Sequence, residues 1–178
     1  MKIIAIVQAR MGSSRFPGKV LKNLNNKPVI QHIIDFLEKL KLNGNIDDFI
    51  IATPDTTENE KLWNYLSEQN VNYFKGSNED VLDRFYQCAK TNNADCIVRM
   101  CADVPYLKEW QIIQQIENFK KYKIFTYGNG AWVCSFAELE ESWINGKHPE
   151  VREHVNDRMF RSIDYPDDLE RLQKSKKS

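Results

Sequence analysis

Lys2-Ile3-Ile4-Ala5-Ile6-Val7-Gln8 runs without a break into Ala9-Arg10-Met11-Gly12-Ser13-Ser14-Arg15-Phe16-Pro17-Gly18-Lys19, and this succession decides the fold. The first piece is a continuous apolar run, short enough for a strand buried on both faces. The second carries the glycine, serine and proline of a loop. Beyond it Val29, Ile30, Ile33, Ile34, Leu37 and Leu40 share one helical stripe, with Pro28 placed where a helix can start without losing a hydrogen bond. A buried strand, a loop and an amphipathic helix in that order predict the first half of a βαβ unit.

The alternation continues along the chain. Strands are expected over 49–53, 71–74 and 96–100, with weaker candidates at 124–127 and 132–134. Helices are expected around Leu62, Trp63 and Leu66, around Val81, Leu82, Phe85 and Ala89, and around Trp110, Ile113, Ile116 and Phe119. Ser77 with Asp80, and Ser135 with Glu138, have the spacing of a capping box. The pattern is that of an α/β protein with a mainly parallel sheet. No repeat or linker divides the 178 residues, so residues 1–173 are read as one domain and the lysine-rich 174–178 as a disordered basic tail.

With 25 basic and 25 acidic side chains the chain has no net charge, which supplies no field for gathering nucleic acid or an anionic membrane. The apolar opening is far too short for a membrane span or a secretory signal. Cys88, Cys96, Cys101 and Cys134 form no C-x-x-C pair and lie mostly in apolar runs, as reduced thiols of a cytoplasmic protein would.

The loop after the first strand falls at the carboxyl edge of the sheet, where open α/β sheets bind ligands. Gly12 and Gly18 let the backbone approach a ligand, Arg10, Arg15 and Lys19 offer cationic donors, and Ser13 and Ser14 neutral ones. That inventory suits a polyphosphate, although an exposed turn with solvated arginines has the same composition. It is not a Walker A loop, since five residues separate the glycines and Val20 follows Lys19 where Ser or Thr would hold magnesium. Nor is there a G-x-G-x-x-G, an H-E-x-x-H or a Ser-His-Asp arrangement.

The stretch from Ile4 to Leu21 resembles the opening signature of the cytidylyltransferases that activate acidic sugars, in particular their spore-coat polysaccharide branch. The likeness continues in the same order through Gly76 to Phe85, Arg99 to Pro105, Ser135 to Glu140, Arg152 to Val155 and Ile163 to Leu169. The resemblance implies a three-layer α/β/α sandwich of the nucleotide-diphosphosugar transferase (Rossmann-like) kind. It implies a reaction in which a hydroxyl of an acidic sugar attacks the α-phosphate of CTP, with magnesium (Mg²⁺) as cofactor. CTP and the sugar are then the partners, and a homodimer is compatible with the family.

Carried over residue by residue, Arg15, Lys19 and Asp103 take the catalytic roles. Ala9, Arg10, Met11, Gly12, Ser13, Arg15, Lys19, Arg84 and Cys101 line the nucleotide, the backbone of Gly12 and Ser13 cradling phosphates. Asp103 and Asp164 hold the metal, and Arg152 and His154 lie on the sugar side. Several of these have plainer readings. Asp103 and Asp164 can each cap a following helix. Arg84 can form an exposed i,i+4 pair with Asp80. His154 can be structural, and His32 simply packed or exposed.

The chain departs from the family's pattern where Cys101-Ala102 replace Thr-Gly, where Gly130 and Trp132 replace acidic residues, and where it is shorter before Tyr127 and between Val155 and Ile163. These departures bear on base reading, acceptor binding and pairing of subunits. They leave two rival expectations: the same fold with another nucleotide or acceptor, and a degenerate module that binds nucleotide without turnover.

Overall fold

The computed structural model describes residues 1–13, 16–104, 107–123, 125–128, 131–146 and 152, Tyr127 by its backbone alone. The expected start of a strand at Ile124, the residues from Asp164 onward and the tail lie outside them.

Strand β1 (Ile3–Gln8) is the middle of a mixed sheet. Strand β4 (Asp48–Pro54) pairs with one edge of β1 and β6 (Cys96–Cys101) with the other, both parallel. Outside β4 lies parallel β5 (Tyr73–Gly76), and outside β6 lie antiparallel β8 (Ala131–Ser135) and then β7 (Thr126–Gly128). The order is β5-β4-β1-β6-β8-β7. The chain therefore builds outward from β1 on one side before crossing to the other, and this switch point opens a crevice at the carboxyl end of β1.

The uninterrupted apolar run of β1 has a simple cause. Ile3, Ala5 and Val7 face a layer made by α1 (Val29–Leu42), α2 (Glu60–Glu68) and α4 (Glu109–Tyr122). Ile4 and Ile6 face the opposite layer of α3 (Val81–Thr91) and α5 (Phe136–Asn145). A strand covered on both faces has no polar side to display. Helix α1 buries Ile30, Ile33, Ile34, Leu37 and Leu40, five residues of the expected stripe.

Three local expectations shift, and one element is added. Strand β5 begins at Tyr73, because Val71 is spent packing in the core at the end of the turn from α2. Helix α4 turns Ile112, Gln115, Ile116 and Phe119 inward and leaves Trp110 60% exposed in its first turn. Gln115 is inside because its amide donates to the Gly128 carbonyl at 2.7 Å and ties α4 to β7. The helix after Ser77 starts one turn late: the Asp80 carboxylate caps α3 by accepting the Asp83 N–H at 2.8 Å, while the Ser77 hydroxyl accepts the Asp80 N–H. Finally, a two-residue hairpin joins β2 (Asn23–Leu24) to β3 (Lys27–Pro28) through Asn25 and Asn26, both at positive φ as a type I′ turn requires. His32 is pinned to this hairpin at the Leu24 carbonyl.

The second expected box forms fully. Glu138 N–H donates to the Ser135 hydroxyl at 3.1 Å and Ser135 N–H to the Glu138 carboxylate at 2.7 Å. Ser135→Ala is expected to cost about 1 kcal/mol. In a chain of this size that is a fall of about 2–4 °C in the thermal midpoint, readable by calorimetry.

All four cysteines are free thiols, and burial pushes those of Cys88 and Cys96 up to about 12.

Candidate active site

The crevice at the switch point is built from two strand ends and the loops that leave them. Ala9 stays in the sheet's line, its N–H bonded to the Ala52 carbonyl at 3.1 Å, and Ala102 docks on β1 through the Gln8 carbonyl at 3.0 Å. The chain then turns sharply. The Met11 carbonyl accepts the N–H groups of both Ser13 and Gly18, closing the loop on itself. Gly18 sits at φ 67, a conformation that costs a side-chain-bearing residue, and it opens the 3-10 turn Lys19–Leu21 that aims Lys19 back at the crevice. There the Lys19 ammonium forms an ion pair with Asp103, which leaves the end of β6.

Gln8, Ala9, Arg10, Ser13, Lys19, Cys101 and Asp103 thereby share the lining of one polar cavity of about 190 Å³ with Val20 and Ala102. Of the residues singled out from the sequence, six meet here: Ala9, Arg10, Ser13, Lys19, Cys101 and Asp103. Met11 faces a second cavity of about 580 Å³ shared with Pro17, Gly18, Glu58 and Lys61. Gly12 packs directly against the Glu58 carboxylate. The Ser13 N–H, expected to face phosphate, is occupied by Met11, because the tight turn needs that bond. Among the described residues of the loop, Arg10, Ser13 and Lys19 offer side-chain donors to the cavity. Arg15, His154 and Asp164 lie outside the described residues.

Arg84 is not the exposed partner of Asp80. It is 1% exposed, its guanidinium donates to the Ser77 carbonyl, and its Nε has no hydrogen-bond partner. Asp80 instead caps α3 and pairs with Arg152 at 3.1 Å. Gly76 makes the burial possible, since a Cβ there would meet Arg84 Cγ at 2.9 Å. Burial, then the neighbouring charge of Arg10, push the Arg84 guanidinium down to about 10, with Asp80 opposing and Arg99 adding to the fall. It still carries its charge at neutral pH. Arg152 donates to the Gly146 and Trp143 carbonyls at 2.6 and 2.7 Å besides Asp80, so it joins the end of α5 to the start of α3 and does not line the cavity. The Cys101 thiol is raised by burial, with Arg99 pulling against it and Asp103 adding to it. It stays protonated at neutral pH and offers a small uncharged wall rather than a nucleophile.

One functional residue was invisible in the sequence. Asn59, 1% exposed, accepts the Met11 N–H at 2.9 Å and donates to Thr56 and to the Pro54 carbonyl. It clamps the glycine loop to the end of β4. Nothing in its spacing marks it, because the contact exists only once β1 and β4 are neighbours. Asn59→Ala leaves the Met11 N–H unsatisfied, and we expect a loss of about 1–3 kcal/mol in stability. A loosened loop should also weaken nucleotide affinity by about tenfold, about 1.4 kcal/mol, measurable by titration calorimetry.

A switch-point crevice holding a glycine-bearing loop, basic side chains and one carboxylate lies where open α/β folds bind their ligands. Solved structures place it more closely. The chain superposes on a cytidylyltransferase from Leptospira borgpetersenii with a TM-score of 0.77 at 25% identity, covering 98% of this chain and 73% of that one. It superposes on CMP:2-keto-3-deoxy-manno-octonic acid synthetase complexed with CTP with a TM-score of 0.72 at 15% identity, over 99% and 98% of the two chains.

The sequence model of the cytidylyltransferase family matches residues 4–158, and the chain belongs to that family. An uncharacterized protein of Methanocaldococcus jannaschii is 37% identical over 162 residues, 87% of this chain and 65% of its own length. The spore coat polysaccharide biosynthesis protein SpsF of Bacillus subtilis is 33% identical over 106 residues, 59% of this chain and 44% of its own length. A 3-deoxy-manno-octulosonate cytidylyltransferase of Trichlorobacter lovleyi is 34% identical over 119 residues, 67% of this chain and 45% of its own length. The chain thus spans from under half to 65% of the length of these relatives.

Proposed function

We propose that the protein transfers the cytidylyl group of CTP to a hydroxyl of an acidic sugar and releases pyrophosphate, for the synthesis of a surface polysaccharide. The observation that carries this reading is the meeting of Lys19 and Asp103, 84 residues apart in sequence, on one polar cavity at the carboxyl edge. The names of the similar proteins from Trichlorobacter lovleyi and Bacillus subtilis supply the substrate class.

In this reaction the sugar oxygen forms a bond to the α-phosphorus in line with the departing β-phosphate oxygen, whose bond to that phosphorus breaks. The hydroxyl proton is lost to solvent. No side chain is needed as a nucleophile, so the work of the protein is placement and charge neutralisation. Lys19, freed from Asp103 by the incoming triphosphate, and Arg15 would face the departing pyrophosphate. Arg10 and Arg84 would add positive potential beside the nucleotide. Arg152, through its hold on α5, and His154 would shape the sugar side.

Asp103 suits Mg²⁺, which prefers one or two carboxylates together with phosphate oxygens and water. It is half exposed on the cavity, and among the described residues no group of three or more metal-ligating side chains assembles, so the site is completed by substrate phosphate. Asp164 is the proposed second carboxylate. Bound there, the ion would neutralise charge on the α-phosphate. Dependence on CTP favours action in the cytoplasm.

The test is a titration of CTP, UTP, GTP and ATP with and without Mg²⁺ while thermal stability is followed, since a ligand selective for the native state raises the midpoint by mass action. We expect a rise that is largest with CTP and Mg²⁺, and then pyrophosphate release with one of a panel of acidic sugars that includes 3-deoxy-manno-octulosonate. No rise with any nucleotide would overturn the reading.

A further inference from the structure

Arg99 lies in the middle of β6, where its ladder partners are Ile6 and Trp132. Its side chain is only partly open to water there, and a guanidinium drawn away from water is costly unless other groups take over its solvation. Two aromatic rings do part of this: its Cζ is 4.0 Å from the Trp132 ring centre and 5.2 Å from that of Phe85. Among the described residues it makes no ion pair within 4 Å, and its Nε has no hydrogen-bond partner. Its Nη2 donates to the side-chain oxygen of Gln8 at 3.4 Å.

That bond fixes more than a distance. An arginine has donors and no acceptor, so the end of the Gln8 amide that meets it has to be the oxygen. The amide NH₂ is then the end turned away from Arg99. Gln8 itself lines the polar cavity, and the cavity has two kinds of wall. Gln8, Ala9, Cys101 and Ala102, at the ends of β1 and β6, form an uncharged floor. Arg10, Lys19 and Asp103, on the loops, form a charged rim. A nucleotide would meet the rim with its phosphates and the floor with its neutral base.

We propose that Gln8 is a specificity-determining residue that reads the base, and that Arg99 is the positioning residue that decides which face of the amide the base meets. The proposal rests on the nucleotide-transfer reading above. Cytosine carries an acceptor at N3, where uracil carries a donor N–H. An NH₂ held outward by Arg99 is matched to the cytosine N3 and opposed to the uracil N–H. A glutamine free to turn over could satisfy either base. The pair therefore selects a cytidine nucleotide over a uridine nucleotide, and the fixed charge of Arg99 beneath the floor favours base acceptors further.

The test is the ratio of dissociation constants for CTP and UTP, each with Mg²⁺, measured by titration calorimetry on the full chain and its variants. The unaltered protein should favour CTP. Arg99→Met keeps an apolar stem between the rings but loses the donor, and should lower the UTP-to-CTP ratio of Kd by about tenfold, the scale of one misdirected hydrogen bond in a closed site. Arg99→Lys retains a donor and should restore most of the preference, which a purely structural role would not require. Gln8→Glu replaces the oriented amide by an acceptor-only carboxylate beside Arg99, and should erase or invert the preference. If Arg99→Met does not fold, Gln8→Glu and Arg99→Lys decide the matter, the former gaining an ion pair with Arg99. An unchanged ratio in Gln8→Glu overturns the proposal. Equal binding of CTP and UTP by the unaltered protein overturns it while leaving nucleotidyl transfer intact, and binding of neither overturns both.

Discussion

Asp103→Ala is expected to reduce pyrophosphate release from CTP and an acidic sugar by about a thousandfold or more, the scale on which a single group that neutralises transition-state charge acts. Asp103 is the one carboxylate among the described residues lining the cavity beside Arg10 and Lys19. On the proposed function, removing it would take away the anchor for Mg²⁺ while leaving the cations that would attract the triphosphate. The split between readouts is therefore specific. The rise in thermal midpoint caused by CTP alone should persist, whereas the additional rise on adding Mg²⁺ should vanish. The variant should fold normally, because Asp103 is half exposed and its ion pair with Lys19 is worth at most about 1 kcal/mol at such a site. A variant that keeps its magnesium-dependent rise and its turnover would remove Asp103 from the reaction.

Lys19→Met should lower kcat by about 10²–10³, again with little loss of stability. Its side chain is 32% exposed and pairs with Asp103 across the cavity. Before nucleotide binds, each side chain holds the other's charge. With nucleotide present, the proposed reaction would turn the lysine to a phosphate oxygen and leave the carboxylate to the metal. Methionine preserves the stem and removes only the charge, so the loss should fall on kcat more than on KM if Lys19 acts on charge that grows as pyrophosphate departs. Lys19→Arg keeps charge but not compactness and should recover only part of the rate. A rise in KM alone, with kcat untouched, would make Lys19 a ground-state anchor instead.

The two variants also test each other. In the free protein they should be nearly additive in stability, since an exposed pair contributes little. In turnover the double variant should be less impaired than the product of the singles, because both residues are proposed to serve the same phosphate chain.

Much of this was legible in the residues themselves. Among the described residues, periodicity placed four of the five helices and all six strands of the main sheet near their observed positions, and α5 was marked only by the Ser135–Glu138 box, because a strand buried on both faces and a one-sided helix leave different apolar spacings. The loop from Ala9 to Lys19 was readable as a candidate anion site because glycine and clustered cations are local properties. Where the reading slipped, long-range contacts had overruled local pattern: Trp110 stayed outside while Gln115 went in, since the Gly128 carbonyl needed a donor. Arg84 looked like half of a surface pair because Asp80 lies one turn before it, but Asp80 is claimed by Arg152, 72 residues away.

The sequence by itself determined the α/β class, the loop that follows β1 and the family to which the chain belongs, because each is written in consecutive residues. Tertiary structure alone decided that Lys19 meets Asp103, that Asn59 clamps Met11, and that Arg99, set between the Phe85 and Trp132 rings, donates to the Gln8 side-chain oxygen. These are pairings across β1, β4 and β6, and a linear pattern of apolar and polar residues records which face a side chain takes, not which neighbour the sheet order will bring beside it.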